Sequence, residues 1–372
     1  MFDAELLAAF DSLRARRRPL VIACVVDTQG STYRKPGAAM LLAPDPDGED
    51  DRFDGLVSGG CLEGDLLEHA RAAVSAGHAL EVTYDLRDPE ADALWGLGLG
   101  CAGLIRLLLV PAFPEDEHAP LDMLAACYRE RRPARVQWVV GEGGRPGRGA
   151  MRVLAGGTEY RWPPDDRWPA GVDASVDADA GARLIAHDGT QILSVPLRPA
   201  PRLLVLGGGP DALPVWRFAR VMGWDCPVLD HRPAYLAKLH AAGVSDARLC
   251  VATEPPPAEL LADCDGALVM SHHLDTDAAR LAQLAVSRVP WVGLLGPRAR
   301  RERLLADLPA DAAASLAPRL SAPVGLDLGG EGAASIALAA VAQFQAVLAG
   351  RPGGHLAGSP GSSCPHTVEF DR

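Results

Sequence analysis

The sequence predicts an α/β protein, with an N-terminal mixed α/β domain followed by a C-terminal domain built on a parallel sheet. Three observations carry this expectation. The first 112 residues mix apolar strand-like runs with two helical patterns. From Arg202 onward the rhythm becomes strand, glycine turn, helix, the alternation that specifies a parallel sheet wrapped by helices. Between them, short strands are broken by turns dense in Pro, Asp and Gly. The expected divisions are therefore 1–112, a strand-rich remainder and connecting segment at 113–200, the parallel-sheet domain at 201–350, and a Gly/Ser/Pro tail at 351–372 without fixed structure. With 372 residues the chain exceeds one average core and suits two or three compact units.

Taken in order, residues 3–17 set Leu6, Leu7, Phe10 and Leu13 on one helical face, and Pro19 ends that helix. Leu20–Val26 is too apolar and β-branched for an exposed strand and reads as a buried one. A polar stretch from Asp27 to Gly37 leads to a second strand, Ala38–Leu42, and a turn at Asp45-Pro46-Asp47-Gly48. A third strand is expected at Gly55-Leu56-Val57, and a helix from Leu62 carries Leu66, Leu67 and Ala70. Glu81–Leu86 and Leu104–Val110 read as further strands, the latter buried. In the middle stretch the strands expected are Arg135–Val140, Met151–Leu154 and Ile192–Leu197. The last domain runs through Leu203–Leu206, a helix to Met222, Pro227–Leu229, Ala267–Met270, Trp291–Leu295 and a final helix, Ala333–Leu348.

Charge and composition exclude several classes of partner. A formal net charge of −12 argues against nucleic acid, whose binding needs a basic face to displace counterions. It argues equally against docking on an anionic membrane, and no apolar run is long enough to span a bilayer. The eight cysteines, at 24, 61, 101, 127, 226, 250, 264 and 364, form no CxxC pair. Cys24, Cys226 and Cys250 lie in apolar strand-like runs, where a thiol behaves as a small hydrophobe. A reduced, cytoplasmic compartment is expected.

Gly207-Gly208-Gly209-Pro210-Asp211-Ala212 supplies G-x-G-x-x-A between an apolar strand and a helix. In a Rossmann turn Gly207 makes the bend, Gly209 lets backbone approach a phosphate, and Ala212 permits close helix packing. The helix N-terminus faces the anion. Asp230 stands 23 residues after Gly207, close to the ~20 expected for the acid that holds a ribose hydroxyl. This constellation points to NAD(P); Arg232 offers a contact to a 2′-phosphate instead. A Rossmann sheet that keeps the turn for topology alone is the competing reading.

Two N-terminal loops place one cysteine among glycines: Ser58-Gly59-Gly60-Cys61-Leu62-Glu63-Gly64-Asp65 and Trp95-Gly96-Leu97-Gly98-Leu99-Gly100-Cys101-Ala102-Gly103. Glycines admit close approach of a bulky anionic ligand. A cysteine at a helix N-terminus has its thiolate favoured by the dipole, which singles out Cys61. The structural alternative is small residues filling tight turns. A third loop, Thr28–Gly37, carries Arg34 and Lys35 at its tip and suits a phosphate or a solvated turn equally.

Together these blocks resemble the xanthine dehydrogenase accessory family, XdhC/CoxI. Its N-terminal signature is similar to Gly30–Gly37, Ser58–Glu63 and Gly98–Gly103. Its Rossmann domain is similar to the glycine turn, Val228–Pro233, Met270–His273, Trp291–Gly296 and Ala322–Gly329. The resemblance implies a chaperone of the molybdenum cofactor, molybdopterin with its metal. Such a chaperone holds the cofactor while a cysteine desulfurase supplies the terminal sulfur, then delivers it to a xanthine dehydrogenase-type molybdenum hydroxylase. It implies an accessory factor more than a catalyst. Carried over by residue, Cys61 and Cys101 lie near molybdenum or the transferred sulfur, a soft ligand suited to that chemistry. Arg34, Gly59, Gly60, Glu63 and Gly100 join them, with Gly207, Gly209, Ala212 and Asp230 in the second domain; Glu63 and Asp65 orient their loop. No catalytic residue and no separate metal site are expected.

Departures from the family pattern are Ser271 and His273, where Thr and Asp are common, and Gly330-Glu331-Gly332 in place of Ala-Glu-Thr. If extended, His272 and His273 face opposite ways and cannot share a metal, while Asp275 and Asp277 cap the following helix. Two rival functions stay open: an NAD(P)-dependent oxidoreductase with His272 as proton donor, and a docking scaffold without a small ligand. A homo-oligomer is compatible with the sequence, which does not specify one.

Overall fold

A computed structural model of the chain describes residues 2–85, 87, 103–141, 148–164, 168–169 and 181–355. It divides into two compact units, Met1–Ala200 and Pro201–Arg372. Cys101 and Gly100, with most of the second glycine–cysteine loop, lie outside the described residues, as does Leu86.

The first unit opens with α1 (Ala4–Arg14), capped by Asp3, whose carboxylate accepts from the Leu6 amide at 2.9 Å. It buries Leu6, Phe10 and Leu13, as their spacing implies. The helix stops short of residue 17 because Arg17 turns left-handed, at φ 52°. A five-stranded antiparallel sheet follows, of β1 (Leu20–Gly30), β2 (Ala39–Ala43), β3 (Arg52–Asp54), α2 (Glu63–Ala76) on its face, β4 (Leu80–Asp85) and β5 (Gly103–Ala112). Its order is β3-β2-β1-β5-β4. The third strand is therefore Arg52–Asp54, and the expectation of Gly55–Val57 is corrected: Val57 leaves the sheet and drops into the core with Leu62 and Leu66.

The continuous apolar run of β1 has a physical cause. Val21, Ala23 and Val25 face α2, whereas Leu20, Ile22, Cys24 and Val26 face the opposite core, so the strand is covered on both sides. A register shift between Val25 and Asp27 marks where β1 leaves the core and its end becomes exposed.

After α3 (Ala119–Arg129), a second antiparallel sheet is built from β6 (Ala134–Val139), β7 (Met151–Ala155), β8 (Thr158–Trp162), β9 (Arg183–His187) and β10 (Thr190–Leu197), in the order β8-β7-β6-β10-β9. Its inner residues, Val136, Trp138, Met151, Val153, Leu193 and Val195, join α1, α3 and the back of the first sheet in one core. Residues 113–200 thus belong to the same compact unit as 1–112.

The second unit is a six-stranded parallel sheet. It comprises β11 (Leu203–Leu206), α4 (Ala212–Val221), β12 (Val228–Asp230), α5 (Pro233–Ala241), β13 (Ala247–Leu249), α6 (Ala258–Ala262), β14 (Gly266–Val269), α7 (Leu274–Ala285), β15 (Val292–Leu294), α8 (Arg298–Ala306), α9 (Ala310–Leu316), β16 (Leu320–Ser321) and α10 (Ala333–Leu348). The order β13-β12-β11-β14-β15-β16 is the 3-2-1-4-5-6 arrangement of dinucleotide-type sheets, with its switch point between β11 and β14. Helices α4, α5 and α10 cover one face and α6 to α9 the other. Among the described residues no helix is long and apolar enough to cross a membrane.

Candidate functional site

In the first unit the first sequence block contacts Leu56, just ahead of the second block, and Gly103, the described end of the third. Arg34, exposed at the end of the Thr28–Gly37 loop, donates from Nε to the Leu56 carbonyl at 3.2 Å, and its guanidinium lies 5.4 Å from the Tyr33 ring centre. That anchors the first loop two residues ahead of Ser58. Gly103, the last residue of the third block, packs against Ser31 O and Thr32 so closely that a Cβ would lie 2.7 Å from Thr32 Cγ2. The first loop therefore touches the approaches to both cysteine-bearing segments.

The Ser58–Asp65 segment is organised by Glu63, the first residue of α2, which is 2% exposed. Its carboxylate accepts from the Ser58 amide at 3.1 Å, the Ser58 hydroxyl at 2.6 Å and the Leu62 amide at 3.1 Å. The amides of Gly60, Cys61 and Leu62 all donate to Ser58 Oγ, at 3.2, 3.0 and 3.1 Å. The glycine pattern suggests that this backbone meets an anionic ligand; within the fold its amides hold the serine hydroxyl instead. What the loop offers a ligand is the partly exposed, unpaired Cys61 thiol, with no atom within 4 Å of where a Cβ would stand on Gly59, Gly60 or Gly64. All three glycines are exposed, so nothing in the fold stands over the loop beside the sulfur. Asp65, one turn into α2, accepts from Tyr84 Oη at 2.5 Å and lies 3.3 Å from His69 Nε2. Burial, and then this bond to Asp65, push the Tyr84 phenol well up.

The remaining described cysteines are unlike Cys61. Burial pushes the Cys24 thiol up to about 12 and Cys264 to about 11, and raises Cys127 and Cys226 as well. Cys250 is buried with Arg280 Nη2 at 3.2 Å from its sulfur. In a Cys101→Ser/Cys364→Ser variant at neutral pH, iodoacetamide is expected to label Cys61 well before the other five, because only a reachable thiolate reacts. Peptide mapping checks this; equal labelling of Cys24 or Cys226 would contradict the arrangement.

In the second unit the glycine turn connects β11 to α4 as its pattern implies, and Ala212 is fully buried where the helix packs on the sheet. Gly207 has φ 130°, and a Cβ there would stand 2.5 Å from Met270 C and Ser271 N, so the turn presses on the backbone that leaves β14. Gly209 is freer, meeting only His272 Cδ2 at 3.6 Å. Asp230 does end β12, but its side chain is inaccessible and its oxygens are engaged. Oδ2 accepts from Gly208 N at 2.5 Å and Arg232 Nη2 at 2.7 Å, and Oδ1 from Arg232 N at 2.7 Å and Nε at 2.9 Å. Arg232, which the sequence offers as a phosphate contact, is this carboxylate's partner and stacks 4.1 Å from the Tyr235 ring centre.

Two expectations about the histidine segment are corrected. His272 is not extended; it is left-handed at φ 63°, and its Nε2 lies 2.8 Å from Asp211 Oδ2. Asp277 does not cap α7. Its fully buried carboxylate accepts from the Ser271 amide at 3.1 Å, Ser271 Oγ at 2.5 Å and Arg300 Nη2 at 2.6 Å, which fixes the residue before His272. Sequence reading misses this bond because Arg300 is 23 residues away and its pattern is that of an exposed basic helix. Among the described residues no group of three or more His, Cys, Asp or Glu side chains is placed to hold a metal.

Comparison with known proteins gives this arrangement its relatives. The family model described as "XdhC and CoxI family" matches residues 13–85, and the "XdhC Rossmann domain" matches residues 203–344. The chain belongs to the XdhC/CoxI family. Together the two XdhC segments span more than half of it and include both the Cys61 loop and the glycine turn. A Bacillus subtilis (strain 168) protein, named as a probable component of xanthine dehydrogenase, is 26% identical over 345 residues, covering 90% of this chain and 94% of its own length. The Escherichia coli (strain K12) "Molybdenum cofactor insertion chaperone PaoD" is 27% identical over 202 residues, 45% of this chain and 59% of its own. A crystal structure of a Bacillus halodurans protein described as a xanthine dehydrogenase superposes with a TM-score of 0.71 at 27% identity, covering 95% of this chain and 98% of that one. This XdhC-family chain thus shares the two-part architecture along almost its full length.

Proposed function

We propose that this accessory protein carries the molybdenum cofactor, holds it for sulfuration by a cysteine desulfurase, and delivers it to a xanthine dehydrogenase-type molybdenum hydroxylase. The observation that carries the reading is the Cys61 loop. A single partly exposed thiol stands beside three glycines that leave its surroundings open, on a loop made rigid by Glu63 and Ser58. When bound, the cofactor supplies the molybdenum and dithiolene chemistry of the recipient enzyme; the chain's own part is to bind, orient and shield it. Cys61 supplies a soft contact suited to molybdenum or its sulfur. Glu63 acts through Ser58 to keep the thiol at one place, and Arg34 ties the neighbouring loop to the same spot. Cys101 is assigned to the same role by family resemblance. The E. coli relative's description as a cofactor insertion chaperone supports the reading, as does the xanthine dehydrogenase naming of the Bacillus relatives.

The rival, an NAD(P)-dependent oxidoreductase, rests on Gly207, Gly209, Ala212 and Asp230. An Asp230 carboxylate already holding Gly208 and Arg232 has no free oxygen for a ribose hydroxyl, which favours the carrier. The test is purification of the full chain from a cofactor-producing host, with molybdenum and released pterin measured together. Near-stoichiometric amounts of both are expected, and Cys61→Ala should lower them about tenfold or more while the melting temperature stays unchanged. A wild-type protein carrying neither, or NADH binding at micromolar concentration, would remove the proposal.

A further inference from the structure

We infer that the outer face of α10 is a docking surface for a second copy of this chain, the two helices running antiparallel about a two-fold axis. The inference is independent of the carrier reading and of the Cys61 loop.

The chain carries a net charge of −12, so two copies repel one another over most of their surfaces. The helix α10 is an exception. No charged residue lies between Glu331 and Arg351, a stretch that includes the whole of α10. A surface helix ordinarily sets charged and polar residues on its solvent side. Here the inward side holds Ala337, Ala340, Val341 and Phe344, and the outward side carries no charge either. Ala334, Leu338 and Ala349 are exposed and Ala342 and Gln345 partly so, at spacings of three and four that align them along one face. Leu338 is 47% exposed. Trp224, just after α4, packs on Phe344 with ring centres 5.1 Å apart, so the end of α4 lies beside the last turns of α10. There Val221, 84% exposed, and Met222 extend the apolar surface.

Two features commit this face to a copy of itself. A two-fold contact needs a self-complementary patch, in which residue i meets j and j meets i. In an antiparallel pair centred near Ala342, Ala334 comes opposite the partner's Ala349 and Leu338 opposite the partner's Gln345. The alanines let the two helix axes approach to about 8 Å, the close end of the usual range. The second feature is charge. Glu331 stands just ahead of α10 and Arg351 just past it, both exposed and opposite in sign. Antiparallel pairing brings each Glu331 to the partner's Arg351, at both ends of the contact. Parallel pairing would set like charges together, which opposes it. The sixteen residues of α10 span about 24 Å, which suits an interface at the small end of the range and a weak, reversible dimer.

Sedimentation of the full-length chain across micromolar concentrations tests this. Wild type is expected to pass from monomer to dimer with a micromolar dissociation constant. Leu338→Arg, which puts a charge into the middle of the face, should weaken the dimer about a hundredfold or more with an unchanged melting temperature. Glu331→Arg and Arg351→Glu should each weaken it about tenfold, because two symmetry-related pairs turn repulsive at once. Glu331→Arg/Arg351→Glu should return to within about threefold of wild type, since the pairs are restored with their signs exchanged. A monomer at every concentration, a dimer indifferent to Leu338→Arg, or single reversals that either have no effect or are not rescued by the double variant would overturn the inference.

Discussion

Gly207→Ala is expected to destabilise the second unit by about 3 kcal/mol or more, through a forced contact and a disfavoured backbone angle together. The atoms a methyl group would strike, Met270 C and Ser271 N, are backbone. They cannot swing aside as a side chain would. Met270 N donates to the Leu206 carbonyl at 2.9 Å, and Leu206 pairs with Val269 in the β11–β14 ladder, so displacement breaks the central strand pair. Gly209→Ala provides the control. Its Cβ would meet only the edge of the His272 ring at ordinary contact distance, so a change within about 1 kcal/mol is expected. Urea unfolding followed by tryptophan fluorescence, which reports Trp224 and Trp291 in that core, checks both; equal stability of the two variants would refute the account.

Asp230→Ala is expected to cost about 3–5 kcal/mol, because it leaves the Arg232 guanidinium and the Gly208 amide without their acceptor. Burial alone would raise this carboxyl. The Arg232 side chain and the amides of Gly208 and Arg232 outweigh burial and hold it below the ordinary aspartate range. A carboxyl whose value is lowered on folding stabilises the fold fully above its unfolded value, about pH 4, and that stabilisation is lost as pH falls through the lowered folded value. The wild-type second unit should therefore lose stability below about pH 4 more steeply than Asp230→Asn, which has no such proton to gain. Melting temperatures of both proteins from neutral to acidic pH measure the difference; parallel curves would refute the assignment.

The Rossmann unit is legible because its signals are local. An apolar strand, a glycine turn, a small residue at 212 and an amphipathic helix follow one another in sequence as they do in space. The central strand β1 is legible for a related reason: a run without polar alternation has to be covered on both faces. The second sheet is harder to read. Its strands alternate apolar residues with Arg135, Gln137, Arg152 and Ser194, the pattern of a surface hairpin, yet all four polar residues are buried. They are tolerated because they meet one another: Arg152 donates to Gln137 at 2.5 Å, and Arg135 and Gln137 both reach Ser194. At the candidate sites, residue identity points to Cys61 and Glu63, whereas the pairings of Asp211 with His272 and of Asp277 with Arg300 join residues far apart in the chain and leave no mark on spacing.

The core shared by the two N-terminal sheets limits how this protein can be dissected. Stripping away everything after Ala112 would lay bare Phe10, Ile22, Cys24 and Leu108, the inner wall that α3 and the Trp138 sheet now shelter. Such a fragment would present a broad greasy surface to solvent and clump rather than fold. The segment bearing Cys61 can be studied by substitution within the intact chain, not by excision.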